Sequence, residues 1–226
     1  MAKGKLVVIE GTDGSGKATQ SALLLKALKR GGYKTAYFDF PRYREKTSVL
    51  VANYLNGKYG SADEVDPRVA STFYAGDRYD ASFEMRRFLK EGRVVVCNRY
   101  VSASMGHQAG KIRGAKERAE FVKWLKRLEY DFYGIPKPDA TILLFMPYRV
   151  ASGLVSHKGK RGYLHGKKRD IHEESLPHLM HAEKAYLELA PKEHWKVIEC
   201  SKNGAPLKVE EIQKRIWDCV KKVLEK

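Results

Sequence analysis

A glycine-rich stretch near the N-terminus carries the clearest chemistry in this sequence. It follows the apolar run at 6–9 and has the pattern G-x-x-x-x-G-K. Glycines in such a loop let successive backbone N–H groups converge on phosphate oxygens, the following helix adds positive potential at its N-terminus, and the lysine reaches the outer phosphates. We predict that this phosphate loop binds a nucleotide through Gly11, Thr12, Asp13, Gly14, Ser15, Gly16, Lys17, Ala18 and Thr19.

One position of the phosphate loop departs from the pattern. The residue after Lys17 is normally Ser or Thr, whose hydroxyl binds Mg²⁺, but here it is Ala18. Thr19 follows, yet one helical residue later the side chain points about 100° away, so it is not an obvious substitute. The loop therefore predicts nucleotide binding without predicting how a metal ion is held.

A second chemical feature is a basic segment at 149–169. It has seven Lys or Arg residues and no Asp or Glu, and its four glycines add flexibility. One interpretation is a disordered basic loop that binds nucleic acid nonspecifically. The other is a closing lid whose cations surround a transferring phosphoryl group, since such transfers depend on positioning and charge stabilisation. The arginines available for that role are Arg149, Arg161 and Arg169.

The elements that must position these residues follow from five short apolar runs separated by helical patterns. The runs are nearly continuous in Val, Ile, Leu and Phe, which is typical of parallel strands covered on both faces; they lie at 5–10, 35–40, 94–97, 141–146 and 195–200. Amphipathic stripes between and after them alternate strand with helix. We predict an α/β fold with a five-stranded parallel sheet flanked by helices on both faces, a single domain over 1–226 and a short mobile lid at about 149–172.

Composition narrows the class of protein further. The chain has 226 residues, 43% hydrophobic and 31% charged, which is too apolar for a disordered protein. The first apolar run is too short for a signal peptide or a membrane span. Three widely spaced cysteines (Cys97, Cys200, Cys219) without a CxxC indicate reduced thiols in a cytoplasmic protein. The net charge of +16 predicts an anionic partner.

Several ordered motifs resemble the thymidylate kinases, a family of nucleoside-monophosphate kinases with the P-loop NTPase fold. Any one short motif is weak, but their common order along nearly the whole chain is specific. The matching segments are VIEGTDGSGKATQ at 8–20, FPR at 40–42, YAGDR at 74–78, NRY at 98–100 with Ser104 and Gln108 behind it, GIPKPD at 134–139 and KRDIHE at 168–173.

The resemblance implies a binding site for dTMP, and the residue types suit that role. A thymine ring needs an aromatic face such as Tyr74, and an arginine one helical turn away, Arg78, can donate to its carbonyl. Arg99 leaves the carboxyl edge of a buried strand, where ligands of parallel sheets bind, and its guanidinium suits a phosphate. By resemblance, the acceptor site comprises Asp13 at the 3′-hydroxyl, Phe40, Arg42, Tyr74, Arg78, Arg99, Tyr100 beside the ribose 2′-position, Ser104 and Gln108. Ser201 and Lys202 are expected near the donor adenine, although turn chemistry explains them equally well.

The chain also departs from the family in three places. The aspartate that begins the D-R-Y motif is Asn98 here, so with Ala18 two groups around the expected Mg²⁺ are changed, and weaker metal binding is predicted. Arg42 and Arg44 both follow Phe40-Pro41, and the sequence does not choose between them at the acceptor phosphate. The residue after Asp13 is Gly14 rather than Arg, which by resemblance moves the catalytic cation to the lid, to Arg161 or Arg169.

The implied reaction is phosphoryl transfer from ATP to dTMP, giving ADP and dTDP, with Mg²⁺ and with Lys17, Arg99, Arg161 and Arg169 as catalytic groups. The resemblance also implies a cytoplasmic homodimer that needs neither membrane nor nucleic acid. Two alternatives remain open at this point. One is a kinase for another pyrimidine nucleoside monophosphate, such as dUMP or CMP. The other is a P-loop nucleotide- or RNA-binding protein that has lost turnover.

Overall fold

The five predicted strands form one parallel sheet. The computed structural model describes residues 3–155 and 170–225. Within these residues the sheet runs in the order β2-β3-β1-β4-β5, and every neighbouring pair is parallel. The strands are β1 (Lys5–Gly11), β2 (Thr35–Asp39), β3 (Val94–Asn98), β4 (Ala140–Phe145) and β5 (Lys196–Glu199). The predicted fold class is confirmed.

Helices cover both faces of the sheet because the central strands are apolar on both. In β1, Leu6 and Val8 point into one core, and Val7 and Ile9 point into the other. The helices are α1 (Lys17–Arg30), α2 (Val49–Leu55), α3 (Pro67–Lys90), α4 (Val101–His107), α5 (Ala115–Lys126), α6 (Tyr148–Val155), α7 (Ile171–Glu174), α8 (Leu176–Lys192) and α9 (Val209–Leu224).

Each face has its own set of helices. The first core joins Leu6 and Val8 to α3, α4 and α5, through residues such as Met85, Met105 and Phe121. The second core joins Val7 and Ile9 to α1 and α9. Leu24 and Leu28 in α1, and Ile212, Ile216 and Val220 in α9, are buried there, as expected for amphipathic helices on a sheet.

Two short elements matter for the site or for its predictions. A π-helical segment at Arg127–Phe132 follows α5 directly, and it turns the side chain of Glu129 into the protein, where it is fully buried. After β5, the strands β6 (Ser201–Lys202) and β7 (Ala205–Pro206) form a small antiparallel hairpin. Asn203 and Gly204 take positive φ at its turn, as two-residue hairpin turns require.

Parallel topology places the functional ends of the central strands together. The carboxyl ends of β1, β3 and β2 lead into the phosphate loop, Arg99 and Phe40, respectively. Ligands of open α/β sheets bind at this edge. Among residues 3–155 and 170–225, no helix is long and apolar enough to cross a membrane.

Candidate active site

A cavity of about 580 Å³ opens at the carboxyl edge of the sheet. The phosphate loop and the start of α1 form one side, and the ends of β2 and β3 form its floor. The far wall comes from α3, α4 and the segment around α7. Lining residues from the sequence prediction are Asp13, Gly14, Gly16, Lys17, Ala18, Thr19, Phe40, Tyr74, Arg78, Arg99, Ser104 and Gln108.

The phosphate loop has the backbone shape that its glycines allow. Gly14 and Gly16 both have φ near 85°, a region that residues with a Cβ rarely adopt, and Gly16 is the N-cap of α1. Lys17 is buried, and its Nζ donates to the carbonyl of Thr12 at 2.8 Å. The loop thus directs an ammonium group and the N-terminus of α1 toward one cavity, which suits a bound phosphate chain.

Gly14 has a second reason to be glycine. A Cβ at this position would lie 2.5 Å from the carbonyl oxygen of Ala151 in α6. No larger side chain, arginine included, fits there without moving α6. The contact with α6 is therefore a structural reason for glycine, rather than arginine, at position 14.

Arg99 is the central cation of the acceptor side. Its Nη2 lies 3.0 Å from Asp13 Oδ1, its Nη1 lies 3.6 Å from Glu10 Oε1, and its Nη1 also lies 3.1 Å from His107 Nε2. Its backbone has φ 65°, which is unusual for a residue other than glycine. These contacts fix the guanidinium at the junction between the phosphate loop and the acceptor side.

The Glu10 carboxylate stabilises this position of the Arg99 guanidinium. Its carboxylate is fully buried and accepts hydrogen bonds from Ser102 Oγ at 2.7 Å, from Tyr186 hydroxyl at 3.0 Å and from Gly11 N–H at 3.0 Å. A buried carboxylate needs such donors or a cation, and Arg99 supplies the cation. Glu10 therefore positions Arg99 rather than contacting the cavity.

Arg78 occupies a different environment from the one predicted. It is almost fully buried, and its Nε and Nη2 each donate to Glu129 at 2.6 Å. Its remaining donors reach the carbonyl of Tyr100 at 3.2 Å and Ser104 Oγ at 3.0 Å. Arg78 still lines the cavity, but these four hydrogen bonds hold it in the wall, where they fix α3 against α4 and the π-helical segment.

Three histidines stack beside Arg99 and form what we call the histidine cluster: His107 in α4, His172 in α7 and His178 in α8. Their ring centroids are 4.1–5.6 Å apart, and the rings are nearly parallel. All three are buried. Burial lowers the pKa of His178 to about 4 and holds the pKa values of His107 and His172 well below their usual range, so all three are neutral near pH 7.

The tautomers in the histidine cluster follow from Arg99. A guanidinium only donates, so His107 Nε2 must accept from it, and the ring proton lies on Nδ1. His107 Nδ1 then donates to His178 Nε2 at 3.2 Å. Nδ1 of His107 is thus a donor and not a free lone pair. Although the three side chains lie close enough to surround a metal ion, this tautomer pattern is that of a hydrogen-bonded stack.

The floor of the cavity contains one carboxylate that sequence reasoning did not select. Asp39 ends β2 and pairs in register with Asn98, the last residue of β3. Asn98 Nδ2 donates to Asp39 Oδ1 at 2.8 Å, and both residues line the cavity. Partial burial raises the pKa of Asp39, and the positive charges of Arg99 and Lys17 act in the opposite direction.

Several predicted residues lie away from the cavity. Tyr100 is fully buried, packs on Phe40, and donates its hydroxyl to the Pro136 carbonyl at 3.0 Å, so its ring lies behind the wall. Arg42 turns toward α3, where it binds Asp77 at 2.9 Å and Asp80 at 2.7 Å. Arg44 is exposed.

Two further predictions concern the residues near the donor adenine and the arginines of the lid. Ser201 and Lys202 lie in the β6–β7 hairpin and do not line this cavity. Arg161 and Arg169 fall outside the described residues. Arg149 is described; it is exposed at the start of α6, and its Nε donates to Tyr148 hydroxyl at 3.1 Å.

Four residues of the site were missed by sequence reasoning: Glu10, Asp39, Glu129 and His172. Glu10 is the last residue of the strand predicted at 5–10, and Asp39 is the next-to-last residue of the strand predicted at 35–40, so a rule that examines every polar residue near the carboxyl end of a strand would have found both. Glu129 gave no such signal, because its place inside the protein depends on a π-helical turn. His172 lay within the KRDIHE motif but was not selected.

Comparisons with known proteins match this chain to one family. A family model described as thymidylate kinase matches residues 9–216. A thymidylate kinase from Mycobacterium tuberculosis is 28% identical over 186 residues, which is 82% of this chain and 85% of the relative. A probable thymidylate kinase from Methanocaldococcus jannaschii is 30% identical over 223 residues and covers 99% of each chain.

A solved structure supports the fold. The thymidylate kinase of Candida albicans, reported for its broad substrate specificity, superposes with a TM-score of 0.72 over 98% of this chain and 93% of the other, at 18% identity. At that identity the likeness establishes the fold alone. The family model and the archaeal relative, both spanning nearly the whole sequence, establish that this chain belongs to the thymidylate kinase family.

Proposed function

We propose that this protein transfers the γ-phosphoryl group of ATP to dTMP and releases ADP and dTDP. The observation that carries the proposal is the single cavity that joins a phosphate loop to a wall bearing Arg99, Tyr74 and Gln108. A donor phosphate chain on Lys17 and an acceptor phosphate on Arg99 would meet inside it. Holding the two in line supplies most of what phosphoryl transfer requires.

The acceptor phosphate needs no general base, because it is already an anion at pH 7. Arg99 binds it, and Glu10 and Asp13 hold the guanidinium in place beforehand. Tyr74 offers an aromatic face and Gln108 a buried amide for the thymine. Arg78 keeps this wall rigid through Glu129 and presents its remaining donor capacity from behind. Charge that develops on the transferring group is balanced by Lys17 and the loop amides.

Mg²⁺ accompanies ATP in this class of reaction and would supply positive charge beside the phosphates when bound. The cavity offers oxygen donors of the kind this ion prefers, on Asp13 and Asp39. Thr19 also lines the cavity beside Ala18 and has a hydroxyl. These residues fit the ion, and they are the groups we assign to hold it.

A lid over about 149–172 completes the proposed site, with the whole chain forming one domain. Its base helix, α6, already packs on the phosphate loop at Gly14, and the charge of 149–169 suits a clamp on phosphates. We assign the catalytic cation to Arg161 or Arg169. Replacing each by Ala should lower kcat by about 10³-fold and leave dTMP affinity nearly unchanged. Turnover of both variants within about twofold of the parent contradicts the lid assignment.

A coupled ADP-release assay tests the reaction itself. The acceptors are dTMP, dUMP, dCMP and AMP, with Lys17→Ala as the inactive control and Lys29→Ala, an exposed lysine at the end of α1, as the matched control. Preference for dTMP supports the proposal. Preference for another nucleotide indicates a kinase for a different nucleoside monophosphate. No release of ADP with any acceptor favours a binding protein.

The homodimer belongs to the same proposal and is supported by an apolar surface on α3. Val69, Gly76 and Phe83 recur every seven residues along one stripe, with Tyr79 beside it and Phe132 nearby. Phe83 is 58% exposed and Phe132 82% exposed, and a side chain at Gly76 would meet nothing. A two-fold pairing of α3 would cover this surface with its own copy. Light scattering should give a dimer, and Phe83→Asp should give a monomer; a monomeric parent contradicts the pairing.

We also propose that the protein is cytoplasmic. The three cysteines are free thiols, and Cys97 and Cys200 are buried, which suits a reducing compartment. Nucleic acid is not required for the reaction; the excess positive charge serves anionic nucleotides.

A further inference from the structure

The floor of the cavity contains a matched pair of side chains, Asp39 and Asn98. They sit opposite each other at the ends of two neighbouring parallel strands. Because a carboxylate only accepts hydrogen bonds, the amide nitrogen of Asn98 must face it, and the 2.8 Å contact fixes the orientation of both groups. Asp39 is exposed to the cavity, and among the described residues its second oxygen has no assigned hydrogen bond.

The side-chain amide oxygen of Asn98 provides a separate observation. Asn98 is 8% exposed, and its Oδ1 is buried without a hydrogen-bond partner among the described residues. Leaving a buried acceptor unsatisfied costs about 1–3 kcal/mol. The site tolerates this cost, so the asparagine is retained for its donor, which binds Asp39.

The pairing explains why position 98 is not an aspartate. Two ionised carboxylates at 2.8 Å would repel each other strongly, so an aspartate on β2 requires a neutral donor on β3. The pair therefore carries one negative charge, and that charge lies on β2 rather than on β3.

We infer that the Asp39 carboxylate, oriented by Asn98, is the group on the cavity floor that binds the divalent cation accompanying the nucleotide. The inference rests on the proposed kinase function. A hard divalent cation prefers an anionic oxygen ligand and retains its remaining waters. Asp39 offers such an oxygen on the cavity wall, close enough to Lys17 and Arg99 to interact with their charges. Tight metal binding therefore does not require an aspartate at position 98 or a hydroxyl at position 18.

An alternative is that Asp39 only neutralises Lys17 and Arg99. The two roles differ in their dependence on metal. A carboxylate that binds the cation strengthens nucleotide binding only when the cation is present. A carboxylate that orients Lys17 or Arg99 affects nucleotide binding equally in its absence.

Mn²⁺ is the probe for the test, because free Mn²⁺ is measured directly by electron paramagnetic resonance. Its dissociation constant is determined for the full-length protein with ADP and dTMP, in the parent, Asp39→Asn, and the double variant Asp39→Asn/Asn98→Asp. Asp218→Asn, an exposed carboxylate on α9, is the matched control. Calorimetry of ADP binding in EDTA accompanies each titration, and thermal unfolding verifies that each variant is folded.

We expect Asp39→Asn to weaken Mn²⁺ binding about tenfold or more and the double variant to restore it to within about threefold of the parent. ADP binding in EDTA should not weaken, and Asp218→Asn should behave as the parent. Three results overturn the inference: an unchanged Mn²⁺ constant in Asp39→Asn, a double variant as weak as the single one, or an equal loss of ADP binding in EDTA. A parent that binds Mn²⁺ and ADP but does not phosphorylate dTMP contradicts the proposed function and leaves the metal assignment standing.

Discussion

The two sides of the cavity are built by different means. The phosphate loop is shaped by glycine backbone, and its recognition groups are amides and one lysine. The acceptor side, formed by α3, α4 and the segment at 127–132, is held by buried charge pairs and the histidine cluster. Backbone groups accommodate the phosphate chain common to all nucleotides, whereas buried side-chain pairs give the acceptor side a fixed shape for one base and sugar.

This difference predicts how substitutions on each side should affect turnover and folding stability. Substitutions in the phosphate loop should reduce turnover with little loss of folding stability, because few buried side-chain interactions depend on them. Substitutions in the acceptor side should reduce both, because breaking one member of a buried pair leaves the other uncompensated.

The largest effect is expected for the Arg78–Glu129 pair. Replacing Glu129 by Ala leaves a buried guanidinium unpaired, so the free energy of unfolding should fall by about 3–5 kcal/mol. Urea denaturation followed by circular dichroism measures this change. The double variant Arg78→Met/Glu129→Leu should recover most of the stability while dTMP binding stays weak. A loss below about 1 kcal/mol in Glu129→Ala would remove the contrast between the two sides.

Lys17 tests the other side. Lys17→Ala should lower kcat by about 10²–10³-fold, since the donor phosphates lose their only lysine within the loop. The free energy of unfolding should fall by about 1–2 kcal/mol, less than in Glu129→Ala, because the hydrogen bond from Lys17 to the Thr12 carbonyl is lost. Stopped-flow turnover and urea denaturation measure the two quantities. An unfolding loss as large as that of Glu129→Ala would show that the loop, too, is held by side chains.

The histidine cluster predicts a dependence of stability on pH. His178 has a folded pKa of about 4, below its unfolded value, so the unfolded state binds protons first as the pH falls. Stability is therefore full above about pH 6.5 and declines toward pH 4, by about 2 kcal/mol for this one histidine between pH 7 and pH 5. Unfolding midpoints measured in urea across this range test the sign.

His178→Gln is the matching variant, since an amide does not titrate. It should show a shallower decline than the parent over the same range. A parent whose stability is flat from pH 7 to pH 5 would contradict the burial of neutral imidazoles at this wall.

The smallest effect is expected at the edge of the acceptor side. Asp80 is half exposed and binds Arg42, which also has three hydrogen bonds to Asp77. Asp80→Asn should change the free energy of unfolding by less than about 1 kcal/mol and leave the KM for dTMP unchanged. A rise in this KM would place Arg42 at the acceptor phosphate in solution.

The sequence was sufficient for the sheet and for the phosphate loop, because both depend on local pattern. Continuous apolar runs specify buried parallel strands, and the glycines and Lys17 specify the loop by spacing alone. The acceptor side was predicted less completely. Resemblance located Arg78 and Arg99, but the partners that determine how they act, Glu129 and Glu10, lie far from them in sequence.

Two residues show why the rest was not predictable. Tyr100 and Arg42 were placed on the acceptor site by motif, yet the hydroxyl of Tyr100 binds Pro136 and the guanidinium of Arg42 binds α3. In both, a tertiary partner decides where the side chain points. A sequence motif specifies which residue follows the strand. The direction of that residue's side chain depends on neighbouring residues that only the fold brings together.

The backbone of Arg99 shows how folding and phosphate binding depend on one side chain. At φ 65° a residue with a Cβ costs about 1–2 kcal/mol relative to its relaxed conformation, and glycine or asparagine would relieve that cost. Either substitution would also remove the cation beside the buried Glu10 carboxylate, which costs about 3–5 kcal/mol, so the net effect is a loss of stability. The ion pairs of the Arg99 side chain therefore offset the strain of its own backbone, and the guanidinium that suits a phosphate also holds the end of β3 in place.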